Sequence, residues 1–152
     1  MATNKEDQNL ISYCGLYCGD CHAYRAKISE LAIELRKELR RTEYEKFAKY
    51  ISKFDSGKEL KHFEECYNAL GAMIRFRCQQ GCKAGGGTDK CKIKQCCIDA
   101  KFEGCWECSQ MEKCSKLNVL KPAHGNANIK NLKTIRKKGK VEFLRGNREW
   151  YG

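Results

Sequence analysis

Apolar residues in this chain recur mostly at helical intervals. Ile28, Leu31, Ala32, Leu35 and Leu39 repeat at three and four, with Glu30, Arg36, Lys37 and Arg40 opposite, and predict an amphipathic helix. Thr42 with Glu45 has the form of a capping box that restarts the chain, and Phe47, Ile51 and Phe54 continue the apolar stripe. Asp55-Ser56-Gly57 interrupts it, and Ser56 with Glu59 forms a second capping-box pattern. Leu60, Phe63, Tyr67, Leu70 and Ile74 mark the next helix; Cys66, beside that stripe, reads as a buried structural thiol. Further on, Leu117, Val119 and Leu120 read as packed, with Pro122 ending their segment. Asn126 is placed to cap a helix bearing Ile129, Leu132 and Ile135 that Gly139 stops. A last amphipathic piece carries Val141, Leu144 and Trp150. No segment alternates like a half-buried strand, although short hairpins remain open in the cysteine region. The fold expected is mainly α: a small helical scaffold around cysteine-rich loops, with little or no β.

The cysteines change this picture from a helical protein to a metal-binding one. There are 12 in 152 residues. Eight lie between Arg77 and Cys114, three more are Cys14, Cys18 and Cys21, and everything else reads as scaffold that brings these two pieces together. The start of the chain lacks the basic residues and apolar run of a signal peptide, so a reducing cytoplasmic location is expected, where clustered thiols hold metal rather than disulfides. The length fits one domain: a flexible leader (1–9), an N-terminal cysteine cluster (10–27), a helical scaffold (28–76), a cysteine-rich metal core (77–116) and a basic C-terminal helical segment (117–152).

Glycine follows both Cys14 and Cys18, which suits a chain turning tightly enough to aim backbone amides at sulfur. Cys78 to Cys91 is a glycine-rich loop bracketed by thiols; it lacks the Lys-Ser/Thr ending of a phosphate-binding loop. If Cys91–Ala100 is helical, Ile93, Cys97 and Ala100 share a face, making Cys97 a core thiol and Cys96 the better ligand. Cys105 and Cys108 have the two-residue gap common where one tetrahedral ion is chelated, and Trp106 between them is placed to shield the sulfurs or cap the core. With Cys66 and Cys97 set aside, the candidate ligands are Cys14, Cys18, Cys21, Cys78, Cys82, Cys91, Cys96, Cys105, Cys108 and Cys114. These suffice for two four-thiolate zinc sites. One grouping joins Cys14, Cys18 and Cys21 to a thiol of the Cys78/Cys82 loop and draws the second site from Cys91, Cys96, Cys105, Cys108 and Cys114. Another lets the N-terminal trio borrow from the knuckle. His22 and His124 are weaker ligand candidates amid so many thiols.

These cysteine segments, Cys14-Gly-Leu-Tyr-Cys18-Gly-Asp-Cys21, Cys82 with Gly85-Gly86-Gly87, Cys91-Lys-Ile-Lys-Gln-Cys96-Cys97 and Gly104-Cys105-Trp-Glu-Cys108 through Cys114, together resemble a known family. It is the bacterial and archaeal family catalogued as domain of unknown function thirty-seven ninety-five. The resemblance runs from about Tyr13 to the Gly139 region and implies a zinc-binding domain with no established activity.

The rival to zinc is an iron–sulfur cluster in a small electron-transfer protein. Cys14, Cys18 and Cys21 have the cluster spacing of radical S-adenosylmethionine enzymes, and Cys105, Cys108 and Cys114 resemble the auxiliary-cluster segment found beside them. That enzyme class is rejected, since Asp20 stands where its motif carries an aromatic residue and the alternating strands of its barrel are absent. A thiol enzyme would need a base beside an activated cysteine; Lys83, Lys90, Lys92 and Lys94 crowd the cluster, but no Cys–His pairing is visible. No catalytic residue is assigned.

Charge bears on partners. Lys and Arg number 30 against 19 Asp and Glu, for a net +11, and two four-thiolate zinc sites would bring this to about +7. Charged residues are 32% and mean hydropathy is −0.70, which predicts a soluble chain without a membrane span. The excess concentrates in Lys130, Lys133, Arg136, Lys137, Lys138, Lys140, Arg145 and Arg148, a surface that permits nucleic acid or an acidic protein partner, although it also reads as a solvated helix face. No zinc finger or aromatic RNA-binding motif accompanies it. If the surface from Lys121 to Arg148 binds nucleic acid, the protein is retained on heparin and on DNA or RNA with a steep salt slope; a weak, salt-insensitive interaction dismisses the idea.

Overall fold

The structure, a computed structural model, describes residues 5–152. Eight α-helices occur among the described residues: α1 (Lys5–Asn9), α2 (His22–Arg25), α3 (Lys27–Arg41), α4 (Tyr44–Ile51), α5 (Phe63–Arg75), α6 (Lys92–Asp99), α7 (Lys121–His124) and α8 (Ala127–Arg145). Short 3-10 turns link them, and the only β feature in these residues is an isolated Ile11–Tyr17 bridge. The mainly α expectation holds. The chain divides into two compact units, one of residues up to Tyr24 together with Gln79–Gly152, the other Arg25–Cys78. Of the leader expected to be flexible, residues 5–9 form α1, and residues 1–4 lie outside the described residues.

The Arg25–Cys78 unit is built from α3, α4 and α5. Its contacts run through small residues, because Ala26, Ser29, Ala32, Ala48, Gly57 and Gly71 are its buried positions. Ser29 donates its hydroxyl to the Met73 carbonyl at 3.1 Å, and a Cβ at Gly71 would stand 2.8 Å from an Arg36 nitrogen. The Arg36 guanidinium lies over the Tyr67 ring, 4.2 Å from its centroid. Aromatic rings run in a chain from Phe47 through Tyr44 and Phe63 to Tyr67. This close approach corrects the predicted stripe: Ala32 is buried, whereas Ile28, Leu31 and Leu35 are 48%, 57% and 48% exposed. Cys66 is likewise exposed rather than buried. Both capping boxes fail. Thr42 closes α3 by donating its hydroxyl to the Glu38 carbonyl, and Glu43 precedes α4 in the left-handed region. Ser56 and Glu59 sit inside a 3-10 segment, Asp55–His62, that has no side-chain cap.

The other unit carries a continuous core of Ile11, Ile93, Cys97, Cys105, Trp106, Met111, Leu117, Leu132, Ile135, Phe143 and Leu144. Helix α8 is its spine. Gly139, expected to stop that helix, instead kinks it at φ 82, a conformation open to glycine, and the helix resumes to bring Phe143 and Leu144 onto the same core as Leu132 and Ile135. Gly15, at φ 87, lets the N-terminal loop press onto α8; a Cβ there would be 2.6 Å from Leu132 Cγ. Asn131, buried in α8, exchanges two hydrogen bonds with the Glu149 backbone, donating at 2.7 Å and accepting at 2.9 Å, and so clamps the last residues. The 3-10 segment Ser115–Leu120 ends just before Pro122, which lies in the first turn of α7, as suits a residue with no amide hydrogen. Asn126 precedes α8 without a side-chain capping bond, and Val119 is 72% exposed.

Phe143 is fully buried, so Phe143→Ala should cost about 3–5 kcal/mol in chemical denaturation, whereas Val119→Ala should stay within about 0.5 kcal/mol.

Candidate metal centre

Nine of the ten candidate cysteines fall in the unit organised by α8; Cys78 is the last residue of the other unit and is half-buried. All twelve cysteines are free thiols. Two sets come together within the α8 unit.

The first joins the N-terminal loop to the glycine-rich loop. The Cys82 amide donates to Cys18 Sγ at 3.4 Å, the Leu16 amide to Cys14 and the Tyr13 amide to Cys82. Backbone amides thus point at three sulfurs, as the glycine spacing predicted. Cys14 Sγ lies 3.1 Å from the Ser12 hydroxyl, which donates to the Leu16 carbonyl at 2.8 Å. Burial pushes the Cys14 thiol up to about 11, and nearby Cys82 and Cys91 add to the rise. Cys82 is raised by burial and by Cys91. Like charges that hinder one another's ionisation mark donors gathered in one place. Cys91 therefore stands near Cys14 and Cys82, and Cys14 is near enough to Cys105 of the knuckle to raise that thiol as well. Cys21 follows the 3-10 turn Cys18–Asp20 and is half-buried.

The second set surrounds a cavity of about 40 Å³, close to the space of one water. Cys96, Cys97, Cys105, Cys108 and Cys114 line it with Ile93, Phe102, Met111, Leu117 and Lys116. Cys97 and Cys105 are both buried, and their sulfurs are 3.5 Å apart. That contact holds Cys97 below the usual thiol range and pushes Cys105 far above it. Cys96 is exposed on α6 while Cys97, with Ile93, is buried, as the helical geometry predicted. Ala100, assigned to the same face, is exposed. The packing role given to Cys97 was too narrow, because the core position is also the position against Cys105. The buried state of Cys105, itself in a knuckle, was the feature that the spacing could not supply.

Basic side chains of the C-terminal segment close around these loops. Arg136 donates to the Trp106 carbonyl at 2.8 Å and the Cys108 carbonyl at 2.5 Å. Arg148 grips Asp20, beside Cys21, with bonds of 2.8 and 3.1 Å, and covers the Tyr17 ring. Lys133 pairs with Glu112, Lys140 with Glu103 and Arg145 with Glu142. Five of the eight residues read as a basic surface are therefore engaged within the unit. His124 is held by the Trp150 carbonyl at 2.8 Å and by the Trp150 and Tyr151 rings, and His22 is exposed.

Among the described residues, no three Cys, His, Asp or Glu side chains already converge as a metal-ligating group. The donor chemistry nevertheless fits a soft ion: thiols gathered in two sets, amides aimed at sulfur, and a small cavity walled by sulfur and hydrocarbon.

A family model described as "Protein of unknown function (DUF3795)" matches residues 10–119. The chain belongs to this family. The DUF3795 match spans every cysteine of both sets. No curated protein and no solved structure matches the chain. No described helix is long and apolar enough to cross a membrane.

The burial pattern predicts an order of thiol reactivity. Under native conditions near pH 8 with metal chelated, Cys66 and Cys96 should react first with a maleimide, and Cys14, Cys97 and Cys105 last, as read by peptide mapping.

Proposed function

We propose that this member of DUF3795 is a metal-binding protein in which thiolates hold structural zinc, one ion in each of the two sulfur sets. The observation that carries the reading is the 3.5 Å separation of Cys97 and Cys105 sulfurs. Two sulfurs on one tetrahedral ion, with bonds of about 2.3 Å, stand about 3.8 Å apart. A four-iron cluster takes one cysteine on each iron and spreads its ligands more widely, so the spacing favours a single ion. Cys97, Cys105, Cys108 and Cys114 would hold one ion; Cys14, Cys18, Cys82 and Cys91 would hold the other. Zinc would supply no redox chemistry there. It would replace the thiol protons of the Cys97–Cys105 pair and neutralise thiolates that burial otherwise disfavours.

This assignment gives the metal a mechanical purpose. The sets draw on α6 and on the N-terminal loop, the glycine-rich loop and the knuckle, three segments whose regular structure is limited to short 3-10 turns and one isolated bridge. Each ion would close loops whose ends are otherwise held by few backbone bonds.

Protein purified without oxygen should be colourless and carry about two zinc per chain, and chelation should lower its melting temperature. Cys97→Ser should lose one equivalent, whereas exposed Cys66→Ser keeps both. Brown protein absorbing near 400 nm supports a cluster instead, and metal-free protein with unchanged melting on chelation rejects the proposal.

A further inference from the structure

Lys83 follows Cys82 directly in the glycine-rich loop, yet its ammonium does not reach solvent. Its Nζ is buried with no hydrogen-bond partner, and the side chain is only 14% exposed. Its three donors are left unmet, and its charge is met only by an ion pair with Glu103 at 3.7 Å, in a place where a buried cation is costly. The surroundings offset this only in part. Nζ stands 4.8 Å from the Trp106 ring centroid and 5.7 Å from that of Tyr13, so it spans the knuckle and the N-terminal loop. The nearest carboxylate, Glu103, is 3.7 Å away, too far for a hydrogen bond. Glu103 is also already committed to Lys140 at 2.5 Å. Two ammonium groups share one carboxylate, which leaves a surplus positive charge inside the unit.

The groups available to balance that surplus are sulfurs. Lys83 adjoins Cys82 of the first set in sequence, and its ring partner Trp106 adjoins Cys105 of the second. A neutral side chain of similar length would fill the same space between the rings without any desolvation cost. We infer that Lys83 is the built-in counter-cation of the thiolate centre, holding its buried charge between the two sulfur sets to stabilise the anionic metal–thiolate groups against loss of metal. The inference rests on the metal-binding reading above. A four-thiolate zinc group carries two negative charges, and in a low-dielectric core a fixed cation within the same unit acts on it strongly. Lys83 would not touch the ion. It is a positioning residue, acting through Cys82, Cys97 and their partners.

The test uses the full chain loaded with zinc, and separately with cobalt. Zinc transfer to a coloured chelator should run about tenfold or more faster in Lys83→Met than in the wild type, while Lys83→Arg stays near the wild-type rate. In the cobalt protein, Lys83→Met should move the sulfur-to-metal charge-transfer band to longer wavelength, because removing a cation makes thiolate electrons easier to withdraw. Glu103→Gln leaves Lys83 in place and strips its shared carboxylate, so it should shift the band to shorter wavelength and slow zinc release. A Lys83→Met protein with wild-type release and an unshifted band overturns the inference. If Lys83→Met does not fold, Glu103→Gln decides, and an unshifted band with unchanged release overturns it equally. Wild-type protein that takes up neither metal rejects the metal-binding reading itself, a result distinct from metal uptake that is insensitive to residue 83.

Discussion

Burying sulfur is the constraint around which the α8 unit is arranged. Cys97 and Cys105 sit in the same core as Ile93, Trp106, Met111 and Phe143, where a thiolate would be far from water. An apolar core of this kind tolerates thiols easily and thiolates poorly. The structure answers with amides, cations and a sulfur–sulfur hydrogen bond. Backbone N–H groups reach Cys14, Cys18 and Cys82, and Cys105 is hydrogen-bonded to Cys97. Arginine and lysine side chains are brought in from the far end of the sequence.

The positive charge of the C-terminal segment takes on a different meaning in that light. Arg136 satisfies two carbonyls of the knuckle, and Arg148 fastens the N-terminal turn through Asp20. Lys140 meets Glu103 and Lys133 meets Glu112, so much of what looks like an outward basic stripe serves to hold loops in place. Loops rich in cysteine and glycine have few regular backbone bonds of their own. Side-chain-to-carbonyl bonds from a kinked helix supply part of the order that a sheet would provide elsewhere.

The unit of α3, α4 and α5 follows another logic. Its helices meet through Ser29, Ala32, Ala48 and Gly71, and it exposes Ile28, Leu31, Leu35, Phe47 and Tyr50. Membership of DUF3795 over residues 10–119 covers both this unit and the thiol loops.

The local patterns of the chain were enough to establish its helical class, the extents of α3 and α6, the inward position of Cys97 against the outward one of Cys96, and the aim of amides at the glycine-flanked sulfurs. These depend on periodicity and on neighbours a few residues apart. Capping was misread at Thr42 and Ser56 because a side-chain oxygen can bond backward as readily as forward, a choice made by the turn that follows. The burial of Ile28, Leu31 and Cys66 was misread because amphipathicity names a face without saying whether large or small residues meet the neighbouring helix. Only the tertiary structure decided that Cys91 stands with Cys14 and Cys82, that Cys97 lies against Cys105, and that Lys83 is buried between Tyr13 and Trp106. Spacing fixes which thiols can reach one another at low loop-closure cost. It does not fix which of several close thiols converge, because that depends on how α8, bent at Gly139, packs against loops distant in sequence.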